Sequence, residues 1–82
     1  MKRGTKEPRL LKVRLGEVLR EERKAKGWSS QDDFADHIEM HRAYYGALER
    51  GEKNLQLDTL ERVCNGLDVA ISEVFHRAEA KI

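Results

Sequence analysis

The sequence predicts an all-α domain of five helices. Apolar residues recur at spacings of three and four along most of the chain, and no segment shows the alternation of apolar and polar residues that a strand would need. The composition, with 39% hydrophobic and 38% charged residues and a single proline, suits a helical domain with a heavily solvated surface. A chain of 82 residues is enough for one domain with a modest core.

The first helix is predicted to follow a basic segment. Residues 1–10 carry charges without apolar periodicity, so we expect a flexible basic arm there and the folded domain over residues 11–82. Between residues 11 and 26 the apolar side chains fall on one helical face, at Leu11, Leu15, Val18 and Leu19. Gly27 follows a basic run, in the position where helices commonly end at glycine.

Two short helices are predicted next, separated by a turn at residues 39–41. Ser30 is a suitable N-cap for the first, with Asp33 three residues later, and this helix ends near Ile38. The second spans residues 42–50 and is closed by Gly51. The inward residues are predicted to be Phe34, Ala35, Ile38, Tyr45 and Leu48. Two short helices joined by a short turn form a helix-turn-helix pattern.

Two further helices complete the predicted fold. The fourth spans residues 57–67 and is expected to bury Leu57, Leu60, Val63, Cys64 and Leu67. Its Gly66 follows an asparagine, and an Asn-Gly pair often makes a hairpin turn, but here the apolar stripe of the helix continues past the pair. A glycine inside a helix should lower its stability by about 1 kcal/mol relative to alanine. The fifth begins near Ser72 and carries Val74, Phe75 and Ala78.

The net charge of +1 hides an asymmetry along the chain. Residues 1–28 hold ten Lys/Arg and four Asp/Glu, a net of +6, whereas residues 29–82 hold six and eleven, a net of −5. The basic first third is open to two interpretations, a surface that contacts nucleic-acid phosphates or an ordinary solubilising tail.

Several classes of protein are disfavoured by the sequence. No apolar run approaches the roughly 20 residues that span a membrane, and no apolar stretch follows the charged start as in a secretory signal. One cysteine cannot form an internal disulfide, so we expect a cytoplasmic protein. No acid/base pair or phosphate-binding glycine loop is evident, so we expect neither an enzyme nor a cofactor, a small-molecule substrate or a membrane partner.

The helix-turn-helix segment carries a combination of short motifs: Glu49-Arg50-Gly51, Asn54-Leu55 and Thr59-Leu60. Together with residues 34–51 as a whole, they resemble the phage repressor and Cro-type helix-turn-helix family, also called the xenobiotic-response-element family, over about residues 14–76. The resemblance implies a lambda-repressor-like DNA-binding domain. Residues 50–55 also resemble the controller proteins of restriction–modification systems.

Four positions depart from the pattern of that family. Ser29 lengthens the first turn by one residue, and His41 replaces the usual Ser, Thr or Asp cap of the recognition helix. Glu39 occupies a turn position usually held by glycine, where a positive φ would be unfavourable for glutamate. Gly46 places a flexible residue inside the recognition helix. These changes affect the local geometry and leave the overall pattern in place.

The third helix is the expected recognition helix. If Tyr45 and Leu48 face the core, its outward residues should meet base edges in the major groove. The candidate base contacts are Arg42, Ala43, Tyr44, Gly46 and Ala47. Arg42 can offer a forked guanidinium to guanine, or else contact phosphate or solvent. The small residues either contact thymine methyls or contribute little readout, and Tyr44 either touches DNA or packs against the first helix.

Four other residues are candidate phosphate contacts: Gln31, Arg50, Lys53 and Asn54. Gln31 resembles the family's phosphate-contacting glutamine at the start of the second helix, where exposed amides favour an anion. Lys53 and Asn54 lie in the loop after the recognition helix. The alternatives are a solvated Lys53 and an Asn54 that caps the local turn.

Several conspicuous residues are interpreted as structural. The resemblance implies an ion pair between Arg23 and Glu49 that braces the helices. His37 and His41 have the i, i+4 spacing of a metal site, but a predicted turn separates them and no third ligand is near in sequence, so we expect no metal. Cys64 lies on a buried stripe and is expected to behave as a small apolar residue.

Double-stranded DNA and a second copy of the chain are the expected partners. We expect a homodimer on a two-fold operator, formed through Val69, Ile71, Val74, Phe75 and Ala78, because this is more apolar surface than so short a closing helix can bury internally. The function expected is sequence-specific transcriptional regulation. The alternative is a protein-interaction module, such as an antitoxin subunit or an adaptor, that uses the same fold.

Overall fold

The computed structural model describes residues 8–82, and these residues form five helices, which confirms the predicted all-α fold. The helices are α1 (Pro8–Ala25), α2 (Gln31–His37), α3 (Arg42–Glu49), α4 (Leu57–Leu67) and α5 (Ile71–Ala80). Their order and bounds agree closely with the apolar periodicity of the sequence. None of the helices in the described part of the chain is long and apolar enough to cross a membrane.

The first helix begins earlier than the sequence predicted. Pro8 occupies its first position, where the missing N–H costs nothing because that group would have no partner within the helix. The helix therefore begins three residues before the predicted start at residue 11. The rest of the predicted arm, residues 1–7, lies outside the described residues.

Four of the helices end in the same kind of turn, in which two N–H groups beyond the helix bond back to its last carbonyl groups. This turn requires a left-handed residue. Gly27 and Gly51 supply it after α1 and α3, with φ of 96° and 74°. Glu39 and Asp68 supply it after α2 and α4, with φ of 56° and 55°. The expectation of a positive φ at Glu39 is thus confirmed, although glutamate adopts this conformation with some strain.

The core lies where the stripes of all five helices meet. Its largest fully buried side chains are Tyr45, Phe34, Leu19, Leu48, Leu60 and Leu67. Phe34 packs edge-on against Tyr45 and Trp28, with ring centroids 5.2 and 5.6 Å apart. The predicted inward residues of α2 and α3 are therefore confirmed. Aromatic pairs in this geometry add to the stability given by area burial alone.

Two predictions for α4 need correction. Leu57 is 71% exposed because the first turn of α4 extends beyond the edge of the core and borders an open groove. Gly66 has a packing role rather than a simple cost: a Cβ at this position would overlap Ile38 Cγ2 and lie 3.3 Å from Phe34 Cζ. Replacing Gly66 by alanine would therefore not stabilise the folded chain, despite the higher helix propensity of alanine.

The closing helix α5 packs along α1. Arg77 donates to Glu22 at 2.7 Å and Lys81 to Glu21 at 2.7 Å, so charged pairs flank the contact between the two helices. Val74 and Ala78 lie beneath them and are completely buried within the chain's own core. Their predicted role in a dimer interface is therefore wrong, since neither offers surface to another molecule. Val69, Ile71 and Phe75 are half-buried and remain partly accessible.

Candidate nucleic-acid interface

Helices α2 and α3 present one exposed surface at the start of α3. Tyr45 and Leu48 turn into the core, and this fixes which side of α3 faces outward. Arg42 and Ala43, at the first two positions of the helix, are exposed, as is His41 just before them. Tyr44 is half-buried: part of its side chain packs against the core and part faces the solvent.

Two of the predicted outward residues of α3 are in fact buried. Gly46 is covered by side chains from neighbouring segments: a Cβ there would lie 3.1 Å from both Gln31 Oε1 and Arg50 Nη1. Ala47 is also buried, and its carbonyl accepts a hydrogen bond from the Glu52 N–H at 2.9 Å as the chain turns back over the end of α3. The exposed surface of α3 is therefore confined to the first turn of the helix.

Arg42 is held by carboxylates of α2. Its Nε donates to Asp36 Oδ1 at 3.2 Å and its Nη2 to Asp36 Oδ2 at 2.7 Å, and Asp32 Oδ2 lies 3.7 Å from Nη1. The hydrogen bond from Arg42 keeps the pKa of Asp36 below its usual value, so the carboxylate is charged at neutral pH. Despite these contacts the Arg42 side chain is 58% exposed, which leaves it accessible to a ligand.

A shallow cleft of about 360 Å³ lies beside Arg42 and is lined by His41, Ala43, Tyr44 and Lys53. The structure therefore brings Lys53, from the loop after α3, next to the exposed start of that helix. Lys53 is exposed. A cationic ammonium beside small and aromatic side chains can take a phosphate while the neighbouring helix meets base edges.

The other predicted phosphate contacts are partly engaged within the chain. Arg50 is exposed and pairs with Glu52 at 3.0 Å. Asn54 Oδ1 accepts a hydrogen bond from Lys12 Nζ at 3.2 Å, which places a basic residue of α1 beside the loop. Lys12 was not predicted to lie there, because a separation of 42 residues gives no signal of proximity in the sequence.

Gln31 has a structural contact in addition to its predicted one. Its Nε2 donates to Glu49 Oε1 at 2.8 Å, so the side chain links the start of α2 to the end of α3. One amide hydrogen is used in this way, which leaves the other for an external acceptor. The contact of Gln31 with phosphate stays a prediction.

The brace between α1 and α3 has the predicted partners. Arg23 Nε donates to Glu49 Oε2 at 2.7 Å, and Arg23 Nη1 donates to the Trp28 carbonyl at 2.6 Å. Both ionised side chains are buried. Burial by itself would raise the pKa of Glu49, but the hydrogen bonds from Arg23 and Gln31 outweigh it and hold this pKa below its usual value. The brace fixes α3 against α1.

The residues interpreted as structural have ordinary contacts. Within residues 8–82 there is no cluster of three or more His, Cys, Asp or Glu that could hold a metal ion. The His37 ring lies on Trp28, with centroids 4.7 Å apart. Cys64 is buried, and burial raises the pKa of its thiol to about 11, which disfavours the reactive thiolate.

Comparisons with known proteins agree with this geometry. Residues 19–74 match the helix-turn-helix family. The chain is 39% identical to control protein C.MunI of a Mycoplasma species over 84% of its length and 93% of that protein's. Among solved structures it resembles the clp gene regulator ClgR of C. glutamicum, with a TM-score of 0.81, 32% identity and coverage of 93% of this chain and 95% of that one. It also resembles the restriction–modification controller C.AhdI of Aeromonas hydrophila, with a TM-score of 0.70, 37% identity and coverage of 76% and 92%.

Proposed function

This chain belongs to the helix-turn-helix family, and from that membership we propose that it is a sequence-specific DNA-binding transcriptional regulator that places α3 in the major groove. The observation that carries the proposal is the exposed guanidinium of Arg42 at the first position of α3. Recognition helices of this motif contact base edges with their N-terminal residues. Ala43 is small enough to let the backbone approach the DNA closely.

The base-contacting surface proposed here is smaller than the sequence suggested. It consists of Arg42, Ala43 and Tyr44, because the chain covers Gly46 and Ala47. Lys53 and Lys12 flank it as phosphate contacts, with Arg50 and Asn54 in the same loop region. The two lysines beside this surface favour DNA over the alternative of a protein-interaction module, because lysine is depleted in protein interfaces.

Replacing Arg42 by alanine is expected to weaken binding to the cognate site by roughly 5- to 150-fold and to relax discrimination at one base pair, since a forked guanidinium reads guanine O6 and N7 together. The cognate site is first obtained by selecting bound duplexes from random DNA. Fluorescence anisotropy with the selected duplex and with a scrambled duplex of equal length then measures both dissociation constants.

Lys53→Ala is the matched control for that experiment. It should weaken binding to both duplexes by the same factor and lower the slope of log K against log salt by about 1, because a lysine on phosphate releases counterions without reading sequence. An equal loss on both duplexes for Arg42→Ala would show that Arg42 also contacts only the backbone, and the reader role would be rejected.

We further propose that the protein acts as a homodimer, through a surface that shares only Phe75 with the predicted one. An apolar groove of about 270 Å³ lies between the starts of α1 and α4, the loop before α4, and α5. Leu57 borders it, beside Leu11, Leu55 and Phe75. Together these four side chains form a contiguous apolar patch, which is better explained by a partner than by solvent. A second copy is also expected because the base-contacting surface of one chain is a single helix turn, which covers only half of a two-fold site.

Leu57→Ser is expected to convert a dimer at tens of micromolar into a monomer, as measured by sedimentation equilibrium. Removing a leucine from each copy's side of the interface should weaken association by tenfold or more. Ile82→Ser is the control, because Ile82 is also exposed but does not line the groove. A wild-type protein that stays monomeric with and without DNA would contradict the dimer.

The similarity to C.MunI and C.AhdI supports a more specific role, as the control protein of a restriction–modification system. Two observations would test it together: a methyltransferase or endonuclease gene beside the gene for this chain, and the selected DNA site upstream of either gene. Absence of both would leave the regulator proposal standing and reject this role.

A further inference from the structure

The pair between Asp36 and Arg42 has a geometry that bears on base recognition. A guanidinium offers five N–H groups in a fixed plane. Asp36 takes one from Nε and one from Nη2, so three N–H groups on Nη1 and Nη2 are left over. Asp32 lies 3.7 Å from Nη1, which is beyond hydrogen-bonding distance. The end of the guanidinium that can pair with guanine O6 and N7 is therefore unused.

We propose that Asp36 is a positioning residue for base discrimination, which holds the Arg42 guanidinium side-on so that its Nη1–Nη2 edge is presented to a guanine. This role rests on the proposed function, since it assigns a support to the same recognition helix. Asp36 stands on α2 and Arg42 on α3, so the pair also fixes the side chain relative to both helices of the motif.

The Asp36–Arg42 pair is exposed, so its loss is expected to change DNA recognition without changing the stability of the fold. Both side chains are more than half exposed, and ion pairs of this kind contribute little to folding. A long side chain that is already ordered loses less entropy on binding than a free one. A carboxylate at this place also repels the DNA backbone, so it lowers affinity for every sequence and is useful only if it improves the choice among them.

The competing explanation is that the carboxylates only sequester Arg42 in the free protein. In that case Arg42 would have to leave Asp36 before it reached a base. Removal of Asp36 would then strengthen binding to the cognate duplex and increase discrimination. The two explanations predict changes of opposite sign in the ratio of the two dissociation constants.

The test compares Asp36→Asn with Asp33→Asn on the selected and scrambled duplexes. Asp33 is the matched control, because it lies on the same helix, is exposed, and differs from Asp36 in making no side-chain bond to Arg42. Both variants should bind scrambled DNA more tightly, since each removes one negative charge. Only Asp36→Asn should lower the ratio of scrambled to selected dissociation constants, by roughly 2- to 12-fold.

A double-mutant cycle with Arg42→Ala identifies the residue through which Asp36 acts. In the Arg42→Ala background, Asp36→Asn should change the ratio no more than Asp33→Asn does. Urea unfolding of Asp36→Asn should match the wild type, which rules out damage to the fold. A selected duplex with 7-deazaguanine at the contacted base, which lacks the N7 acceptor, should reduce wild-type binding more than binding of Asp36→Asn.

The outcomes separate this role from the function on which it rests. A wild-type protein without preference for any duplex would overturn the regulator proposal and this role with it. A clear wild-type preference that Asp36→Asn leaves intact or sharpens would overturn the role of Asp36 alone, and Arg42 would remain the reader.

Discussion

Replacing Glu49 by glutamine is expected to lower the free energy of unfolding by about 3 kcal/mol. The exchange keeps the size of the side chain and removes its charge, so the buried guanidinium of Arg23 loses its compensating anion. The cost is large because a buried charge without a partner cannot recover the hydration that it lost on folding. Urea denaturation followed by circular dichroism at pH 7 measures the difference.

Glu52→Gln provides the control for this measurement. Glu52 also accepts hydrogen bonds from an arginine, Arg50, at 3.0 Å, but both side chains are exposed and remain hydrated. Its stability should therefore scarcely change. If Glu49→Gln were equally harmless, the Arg23–Glu49 pair would not brace α3 against α1, and the position of α3 would need another explanation.

The pH dependence of the same variant gives a second readout. Because the pKa of Glu49 is lower in the folded chain than in the unfolded one, its contribution is fully present above the unfolded value of about 4.3 and is lost as the pH falls through the folded value. Other carboxylates that are lowered by partners, such as Glu21 and Asp36, titrate in both proteins. The stability difference between wild type and Glu49→Gln should therefore be constant from pH 7 to 5 and narrow below that.

Most of the fold was predictable because each helix carries its own apolar stripe, and because glycines mark the ends of α1 and α3. The bounds of α4 follow from the spacing of Leu60, Val63, Cys64 and Leu67. These side chains pack into the core and keep the segment helical despite the low helix propensity of Gly66. The errors lie at helix ends. Leu57 continues the stripe in sequence but overhangs the core in space, and periodicity alone cannot tell where the opposing surface stops.

The candidate site was predictable only where it depends on a single helix. Arg42 and Ala43 are exposed as helical geometry required. Gly46 and Ala47 were misplaced because segments distant in sequence cover them, and a helix considered by itself shows no such cover. The Asp36–Arg42 pair escaped prediction for a related reason: its six-residue spacing matches no helical repeat, and only the geometry of the intervening turn brings the two side chains together.

Replacing Gly16 by alanine is expected to lower the free energy of unfolding by about 3 kcal/mol, although alanine favours helix more than glycine does. Gly16 lies in α1 where the end of α3 crosses it. A Cβ there would lie 2.6 Å from the Leu48 carbonyl oxygen and 2.8 Å from the Glu49 carbonyl carbon. These are backbone atoms, which can give way only if the whole of α3 moves. Urea denaturation measures the loss.

Gly46→Ala is the control that separates the effect of the backbone contact at Gly16 from the effect of helix propensity. Gly46 is also buried within a helix, but a Cβ there would meet only the ends of the Arg50 and Gln31 side chains, at 3.1 Å, and these need give way by only a few tenths of an ångström. This variant should be neutral or gain up to about 1 kcal/mol of stability. Similar results for the two glycines would mean that α1 and α3 separate at little cost. A large loss at Gly16 alone would show that the close approach of α1 to the end of α3 needs a residue without a side chain at this position.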